Sequence, residues 1–384
     1  MRQNSLLIAT LLSLLLHGYA AWRLLPAFHL SPTAFGAALA ALLLAGLLAP
    51  APLLIRLSRL PERAADTLAW VGYLAMGVFS SLLVLCLLRD VLLAVVAVWN
   101  LLHAGSVDIE SLRETSALGV VILTALVSLI GVVNARRIAK VVQVDLPILG
   151  LPAALAGFTI VQLSDIHVGP TIKRGYLDAI VRRVNGLNAD LVAITGDVID
   201  GSVERLRTHV APLSELRSRH GTFCVTGNHE YYHGVESWLH EWRRLGMRVL
   251  LNENEVLHHD GERLLIGGVT DYSAHRYGES HKSDPAAAAR NTVSVALKLL
   301  LAHQPRSASA AAEAGFDVQL SGHTHGGQFI PWNFFVPMQQ PFVSGLKRLN
   351  QLWVYTSRGT GYWGPPLRFC APSEITQLRL VLAA

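Results

Sequence analysis

Charges are rare up to about residue 140, and four long apolar runs fill that stretch, at 6–21, 35–55, 68–88 and 117–133. A helix needs about 20 consecutive apolar residues to cross a bilayer, and a spanning segment must satisfy its own backbone. The runs therefore restrict residues 1–140 to an all-α transmembrane bundle of about four helices. The first run is short and contains His17. Its other reading is a cleaved signal peptide, which would need a small-x-small site ahead of a polar mature start, and none convinces here. Residues 92–102 form a further apolar run, separated from the third by Arg89 and Asp90; it either prolongs that helix or lies in the interface.

Orientation follows from the Lys and Arg residues near the span ends. Arg2 precedes the first run, Arg56, Arg59 and Arg63 follow the second, and Arg136, Arg137 and Lys140 follow the fourth. The first connection holds only Arg23, and the third mixes Arg89 and Arg113 with Asp90, Asp108, Glu110 and Glu114. This bias places both termini on the cytoplasmic side of the cell inner membrane, and with them everything beyond the fourth run. Transport would call for ionisable groups deep inside the spans. Only His17 qualifies, so the bundle reads as an anchor.

Overall the chain is 52% hydrophobic and 15% charged, too apolar for a wholly soluble protein of 384 residues. The net charge of +5 is modest, and no basic tract with interleaved aromatics is present, so nucleic acid is not an expected partner. Cys86, Cys224 and Cys370 show no paired spacing, which argues against a disulfide framework.

A Pro- and Gly-punctuated connector is expected over 141–157, followed by a catalytic domain over 158–384. Apolar runs predict strands near 158–163, 191–194, 222–226, 262–266, 296–302, 318–320, 353–356 and 375–380, with helices near 176–187, 203–218 and 306–314. Such alternation belongs to an α/β sandwich, whose chemistry sits just past strand ends.

Polar donors gather at those ends: Asp165-Ile166-His167, Gly196-Asp197-Val198-Ile199-Asp200, Gly227-Asn228-His229-Glu230, a lone His303, and Gly322-His323-Thr324-His325-Gly326-Gly327. In an extended segment, side chains at i and i+2 point the same way, so Asp165 with His167, and His323 with His325, are each expected to grip one ion together. Glycine before Asp197 lets the backbone turn sharply and present the carboxylate. Mixed carboxylate, amide and imidazole donors suit Mn, Fe or Zn better than Ca or Mg. Asp200 either orients a neighbouring histidine or caps the next helix. The remaining histidines, among them His209, His220, His233, His258, His259 and His281, read as surface or packing residues.

The ordered set D-x-H, G-D-x-x-D, G-N-H-E, lone His and G-H-x-H, over residues 157–384, resembles the calcineurin-like metallophosphoesterase superfamily. Ser357-Arg358-Gly359-Thr360-Gly361 with Pro366-Leu367-Arg368-Phe369 further resembles its bacterial membrane-attached branch, which includes phosphodiesterases and some UDP-2,3-diacylglucosamine pyrophosphatases. The resemblance implies a four-layered α/β/β/α sandwich and two divalent metal ions. It implies that Asp165, His167, Asp197 and His325 hold one ion, and that Asp197 as bridge, Asn228, His303 and His323 hold the other. His229 becomes the acid near the leaving group. The implied reaction is hydrolysis of phosphodiester or pyrophosphate bonds by metal-bound hydroxide, the substrate a phosphate ester and possibly a nucleotide-linked lipid, and the lipid bilayer a partner. The alternatives are a phosphomonoesterase of the same fold, or a transporter or sensor with an accessory metal-binding domain.

Three features stay open at this point. Residues 271–277 are a substrate-side loop or an ordinary connector. Residues 329–342, rich in Trp332, Phe334, Phe335, Val336 and Met338, read more readily as a packed cover for the core than as a stretch meeting the bilayer or acyl chains. Arg358 and Arg368 meet phosphate or pair with carboxylates.

Overall fold

The computed structural model describes residues 3–55, 60–103, 105–290 and 293–383. Arg2, Arg56 and Arg59, on which the charge argument partly rests, lie outside the described residues. The chain divides into two compact units, Met1–Val133 with Gly364–Leu367, and Asn134–Trp363 with Arg368–Ala384.

The first unit is built on α1 (Gln3–Leu24), α2 (Pro32–Leu48), α3 (Ala51–Ile55), α4 (Glu62–Leu102) and α5 (Ile109–Arg136). Four of its helical stretches are long and apolar enough to cross a membrane by length and composition. Ser31 caps α2 by accepting from the Ala34 N–H, with Pro32 in the first turn. The second apolar run breaks into α2 and α3 around Pro50 and Pro52, because proline lacks the N–H and crowds the preceding turn. Residues 92–102 prolong α4 into a single helix of 41 residues. At about 1.5 Å per residue that is roughly 60 Å, twice the hydrocarbon thickness.

Arg89 and Asp90 therefore sit inside a helix rather than at its end, and both are paired. The Asp90 carboxylate accepts from Arg23 at 2.7 Å and from the Tyr19 hydroxyl at 2.5 Å. Arg89 donates to Ser116 Oγ and to the carbonyls of Arg23 and Arg113. Charge among apolar helices persists where it is satisfied in this way. His17 stacks on the Phe79 ring and its Nδ1 lies 2.7 Å from the Ser13 carbonyl, a packing arrangement.

Among its described residues the second unit carries twelve strands: β1 (Lys140–Ile148), β2 (Thr159–Leu163), β3 (Leu191–Ile194), β4 (Thr222–Cys224), β5 (Arg248–Val249), β6 (Glu253–His259), β7 (Glu262–Gly268), β8 (Leu297–Leu301), β9 (Val318–Ser321), β10 (Gly345–Leu349), β11 (Leu352–Thr356) and β12 (Glu374–Leu382). They form two six-stranded sheets, β1-β12-β2-β3-β4-β5 and β10-β11-β9-β8-β7-β6. In the first, β2 to β5 are parallel, and β12 runs antiparallel to β2 but parallel to β1. In the second, β11, β9, β8 and β7 are parallel between antiparallel edges. The helices are α6 (Arg174–Asn185), α7 (Val203–Val210), α8 (Asn228–Tyr232), α9 (Val235–Arg244), α10 (Pro285–Ala288) and α11 (Ala308–Glu313).

Alternate residues of each strand serve different layers. Ile160, Leu191 and Phe223 meet Leu264, Leu299 and Leu320 between the sheets. Val161 and Val192 face outward onto Leu177, Ile180, Trp238 and Trp242 of α6 and α9. Leu265 and Leu300 of the other sheet face Ala308 and Ala311 of α11. Strands buried on both faces read as unbroken apolar runs, which is why 191–194 and 299–301 showed no polar alternation. The result is the mixed α/β/β/α layering of a calcineurin-like fold.

One expectation needs correction. Residues 141–148, placed in the connector, form β1 together with Lys140. Pro147 suggested a breaker, yet β1 is an edge strand, where the missing N–H costs no ladder bond. Its apolar contribution, Leu146 and Ile148, enters the core between the sheets. The helix expected over 203–218 also stops early: α7 ends at Val210, and Pro212 follows in a 3-10 turn.

Candidate metal centre

Parallel strands bring their C-terminal ends to common edges, and the donors lie just beyond them. Asp165 and His167 follow β2, Asp197 follows β3, Asn228 and His229 open α8 after β4, His303 follows β8, and His323 and His325 follow β9. Asp165, His167, Asp197, His323 and His325 all have positive φ, between 52° and 68°. Left-handed backbone at non-glycine residues is costly and tends to be kept where a site requires it. The extended i, i+2 geometry is therefore absent from both runs; Asp165 and His167 still share a group, whereas His323 and His325 do not. Those two rings part company.

The donor atoms gather in overlapping groups, each within 4.8 Å of one another: Asp165, His167 and His325; Asp197, His303 and His323; and His167, Asp197 and His229. Asp197 Oδ2 is the common point, 3.2 Å from His303 Nε2, 3.8 Å from His229 Nε2 and 3.9 Å from His167 Nε2. His167 Nε2 faces His325 Nε2 at 3.1 Å, and His323 Nδ1 faces His303 Nε2 at 3.2 Å. Asn228 Oδ1 is buried and accepts no hydrogen bond. A buried oxygen left without a donor is satisfied by a cation, and with two converging His/Asp groups beside it in the chain the donor set fits two metal ions.

Neighbouring groups fix the rings. His303 Nδ1 lies 2.8 Å from the Thr195 carbonyl, so it donates there and leaves Nε2 as the lone-pair donor. Asp200 bonds His229 Nδ1 and lies 3.3 Å from His167 Nδ1, too poorly aligned for a good hydrogen bond but close in charge terms. Asp200 does not cap α7, whose N-cap is Ser202. Of its two readings, the orienting one matches its position.

Burial alone would raise the Asp197 pKa, but the surrounding His303 and His229 hold its carboxyl well below the usual range. Burial by contrast opposes protonation of His229, yet Asp197 and Asp200 push it up to about 9. Burial, with the neighbouring His303, takes His323 down to about 4. Burial, with Arg368 beside it, lowers His325 likewise. The last two imidazoles therefore favour the neutral, ligating form.

Glu230, to which no role was assigned from the residue pattern, is fully buried and accepts backbone N–H groups of Gly227 at 2.7 Å, Val198 at 2.8 Å and Asp197 at 3.0 Å. It ties the loop carrying Asp197 to the loop carrying Asn228. Glu230→Ala leaves three buried donors without an acceptor, each worth about 1–3 kcal/mol. A lower thermal midpoint and lower metal content of the purified chain are the expected results; an unchanged melting curve would contradict this role. Close approach explains two glycines here: a Cβ on Gly322 would stand 1.9 Å from Ser164 Oγ, and one on Gly227 2.2 Å from Asp197 Oδ1.

His233, read as ordinary, joins Asp200 and His229 in a further group. Its spacing of four from His229 on a helix was the available signal. Arg358 is engaged by Glu374, with Nε 2.7 Å from Oε2. Arg368 takes neither expected role: fully buried, it donates to the carbonyls of Gly361, His325 and Ala371 and lies 2.9 Å from His325 Nδ1. In 271–277, Asp271 is buried against Gln304, whereas Tyr272 and Tyr277 are exposed. Residues 329–342 do not cover the core in the way expected, since Phe334 is 68% and Met338 79% exposed.

The calcineurin-like phosphoesterase profile matches residues 158–327. The chain is 39% identical over 268 residues to a transmembrane protein with metallophosphoesterase domain from Danio rerio, covering 67% of this chain and 61% of that one. The protein of the same description from Bos taurus is 40% identical over 291 residues, 73% of this chain and 65% of that one. An uncharacterized metallophosphoesterase of Campylobacter jejuni is 37% identical over 271 residues, 70% of each chain. The chain thus spans less than two thirds of the length of the two vertebrate relatives.

Proposed function

We propose, from the premise that this chain belongs to the calcineurin-like metallophosphoesterase family, that it is a membrane-anchored hydrolase of phosphodiester or pyrophosphate bonds. The family uses a dinuclear metal site, and the observation carrying the proposal is Asp197, whose one oxygen is common to histidines from both donor groups. Asp165, His167, Asp197 and His325 would hold one ion, and Asp197, Asn228, His303 and His323 the other. When bound, such a pair supplies a water acidified toward neutral pH and neutralises charge on phosphoryl oxygens.

The chain's own groups do the rest. Asp200 holds the Nδ1–H of His229, so that Nε2, which faces Asp197, is the atom placed to give a proton to the departing oxygen. Glu230 keeps the two loops in register. Anchoring is supported by the four long apolar helices and by the vertebrate relatives' description as transmembrane proteins. A cytoplasmic catalytic unit rests on the charge bias alone, and preference for diester or pyrophosphate over monoester rests on the sequence resemblance. A nucleotide-linked lipid suits an enzyme held at a bilayer.

The test is a substrate panel on the full chain purified in detergent and loaded with Mn²⁺. Cleavage of bis-p-nitrophenyl phosphate and UDP-diacylglucosamine, well above that of p-nitrophenyl phosphate, is expected. Faster monoester cleavage would reverse the bond preference, and an intact UDP-diacylglucosamine would remove the lipid assignment.

A further inference from the structure

Two large aromatic rings stand half exposed beside His229. Tyr232 is 51% and Trp363 53% exposed. Their ring centroids lie 5.1 Å and 6.0 Å from that of His229, the first tilted and the second edge-on. His229 itself is 5% exposed, so the two rings are the more accessible part of this neighbourhood.

Both are held by the segments that carry the donors. Tyr232 lies on α8, one turn beyond Asn228 and His229, and the i, i+3 and i, i+4 spacing puts it on their face. Trp363 is fixed through its backbone. Gln328, which directly follows the G-H-x-H-G-G segment, donates from Nε2 to the Trp363 carbonyl and accepts the Trp363 N–H, both at 2.9 Å. Gln328 is itself 7% exposed. A buried amide thus spends both its polar ends on aiming an indole whose ring gains little burial from the fold. Such an arrangement costs packing area and makes sense where a ligand supplies the missing contact.

The ligand chemistry follows from the walls. Asp200, His229 and His233 make the neighbouring surface polar. A hydrocarbon tail would strip water from those groups without replacing it. A planar ring with hydrogen-bonding edges can stack on Tyr232 or Trp363 and still meet polar neighbours. We infer that Tyr232 and Trp363 form a base-stacking subsite on the leaving-group side of the centre, which selects phosphate esters bearing a nucleobase. This rests on the phosphoesterase reading and deepens it, because it specifies which part of a nucleotide-linked substrate lies next to His229.

The experiment measures binding and needs no turnover. The full chain in detergent, loaded with Mn²⁺, is titrated calorimetrically with UMP and with ribose 5-phosphate, which share the phosphate and sugar and differ in the base. UMP is expected to bind more tightly by about fivefold or more, the scale of one base stacked on one aromatic ring. Trp363→Ala and Tyr232→Ala should each shrink that advantage, and Trp363→Phe should restore part of it. Metal content and the thermal midpoint, measured on every variant, identify any that fails to fold, and the other substitution then decides. Equal affinities in the unaltered chain, or an advantage surviving both alanine variants, would overturn the subsite. So would an octyl phosphate that outbinds ribose 5-phosphate and loses that edge in Trp363→Ala, since the surface would then take hydrocarbon. Failure of the phosphoesterase reading shows up separately, as no cleavage of bis-p-nitrophenyl phosphate with any metal.

Discussion

Asp197→Asn is expected to abolish turnover of bis-p-nitrophenyl phosphate, by about a thousandfold or more, and to lower the metal content of the purified chain. The reason is the position of Oδ2, which lies within 3.2–3.9 Å of Nε2 atoms from His303, His229 and His167. Two cations held close together repel, and a shared carboxylate is what offsets that repulsion. Asparagine keeps the size of the side chain and removes its negative charge, so the loss reports charge and not shape. The other oxygen, Oδ1, accepts the His229 N–H at 2.8 Å, and an amide oxygen can still do so. The variant should therefore remain folded, with a thermal midpoint near that of the unaltered chain at equal metal content. Metal analysis alongside the assay separates loss of ions from loss of chemistry. Unchanged hydrolysis would mean that Asp197 does not bridge the centre.

His229→Ala should behave differently. The histidine follows Asn228 and faces the centre, but its proposed role is proton delivery. Hydrolysis should fall by about 10²–10⁴-fold while the metal content stays close to that of the unaltered chain. The loss should depend on the leaving group. p-Nitrophenolate departs with little need of a proton, whereas an alkoxide needs one, so an alkyl phosphodiester should suffer more than the nitrophenyl ester. Asp200→Asn should produce a milder form of the same pattern, because it disturbs the Nδ1 bond that fixes the His229 ring. An equal loss on both esters would count against the acid role, and a large drop in metal content would make His229 a ligand.

The centre was legible in the sequence because its donors come in compact runs after apolar strands, and the strands are parallel. Once β2, β3, β4, β8 and β9 were recognised, their ends had to be neighbours. Which ring joins which group was not legible from spacing. By spacing His323 and His325 were expected to act together, and they join different groups, the division that the family resemblance implied. Glu230 was in plain view within G-N-H-E, yet its partners are backbone N–H groups from two loops, which no residue pattern marks. Arg368 illustrates the same limit, because its partners are carbonyls and one ring. The strand β1 was hidden for a related reason: it pairs with β12, remote in sequence, and Pro147 pointed to a turn.

That pairing has a bearing on how the protein is made. Asp145 on β1 bonds Arg379 on β12, 234 positions later. At about 5–20 residues per second, a ribosome needs on the order of ten to fifty seconds to deliver that partner. Throughout that interval the nascent chain, its helices already made, carries an open strand edge able to recruit neighbouring polypeptides. Completion of the sheet thus waits on the arrival of β12, which must slot between β1 and β2.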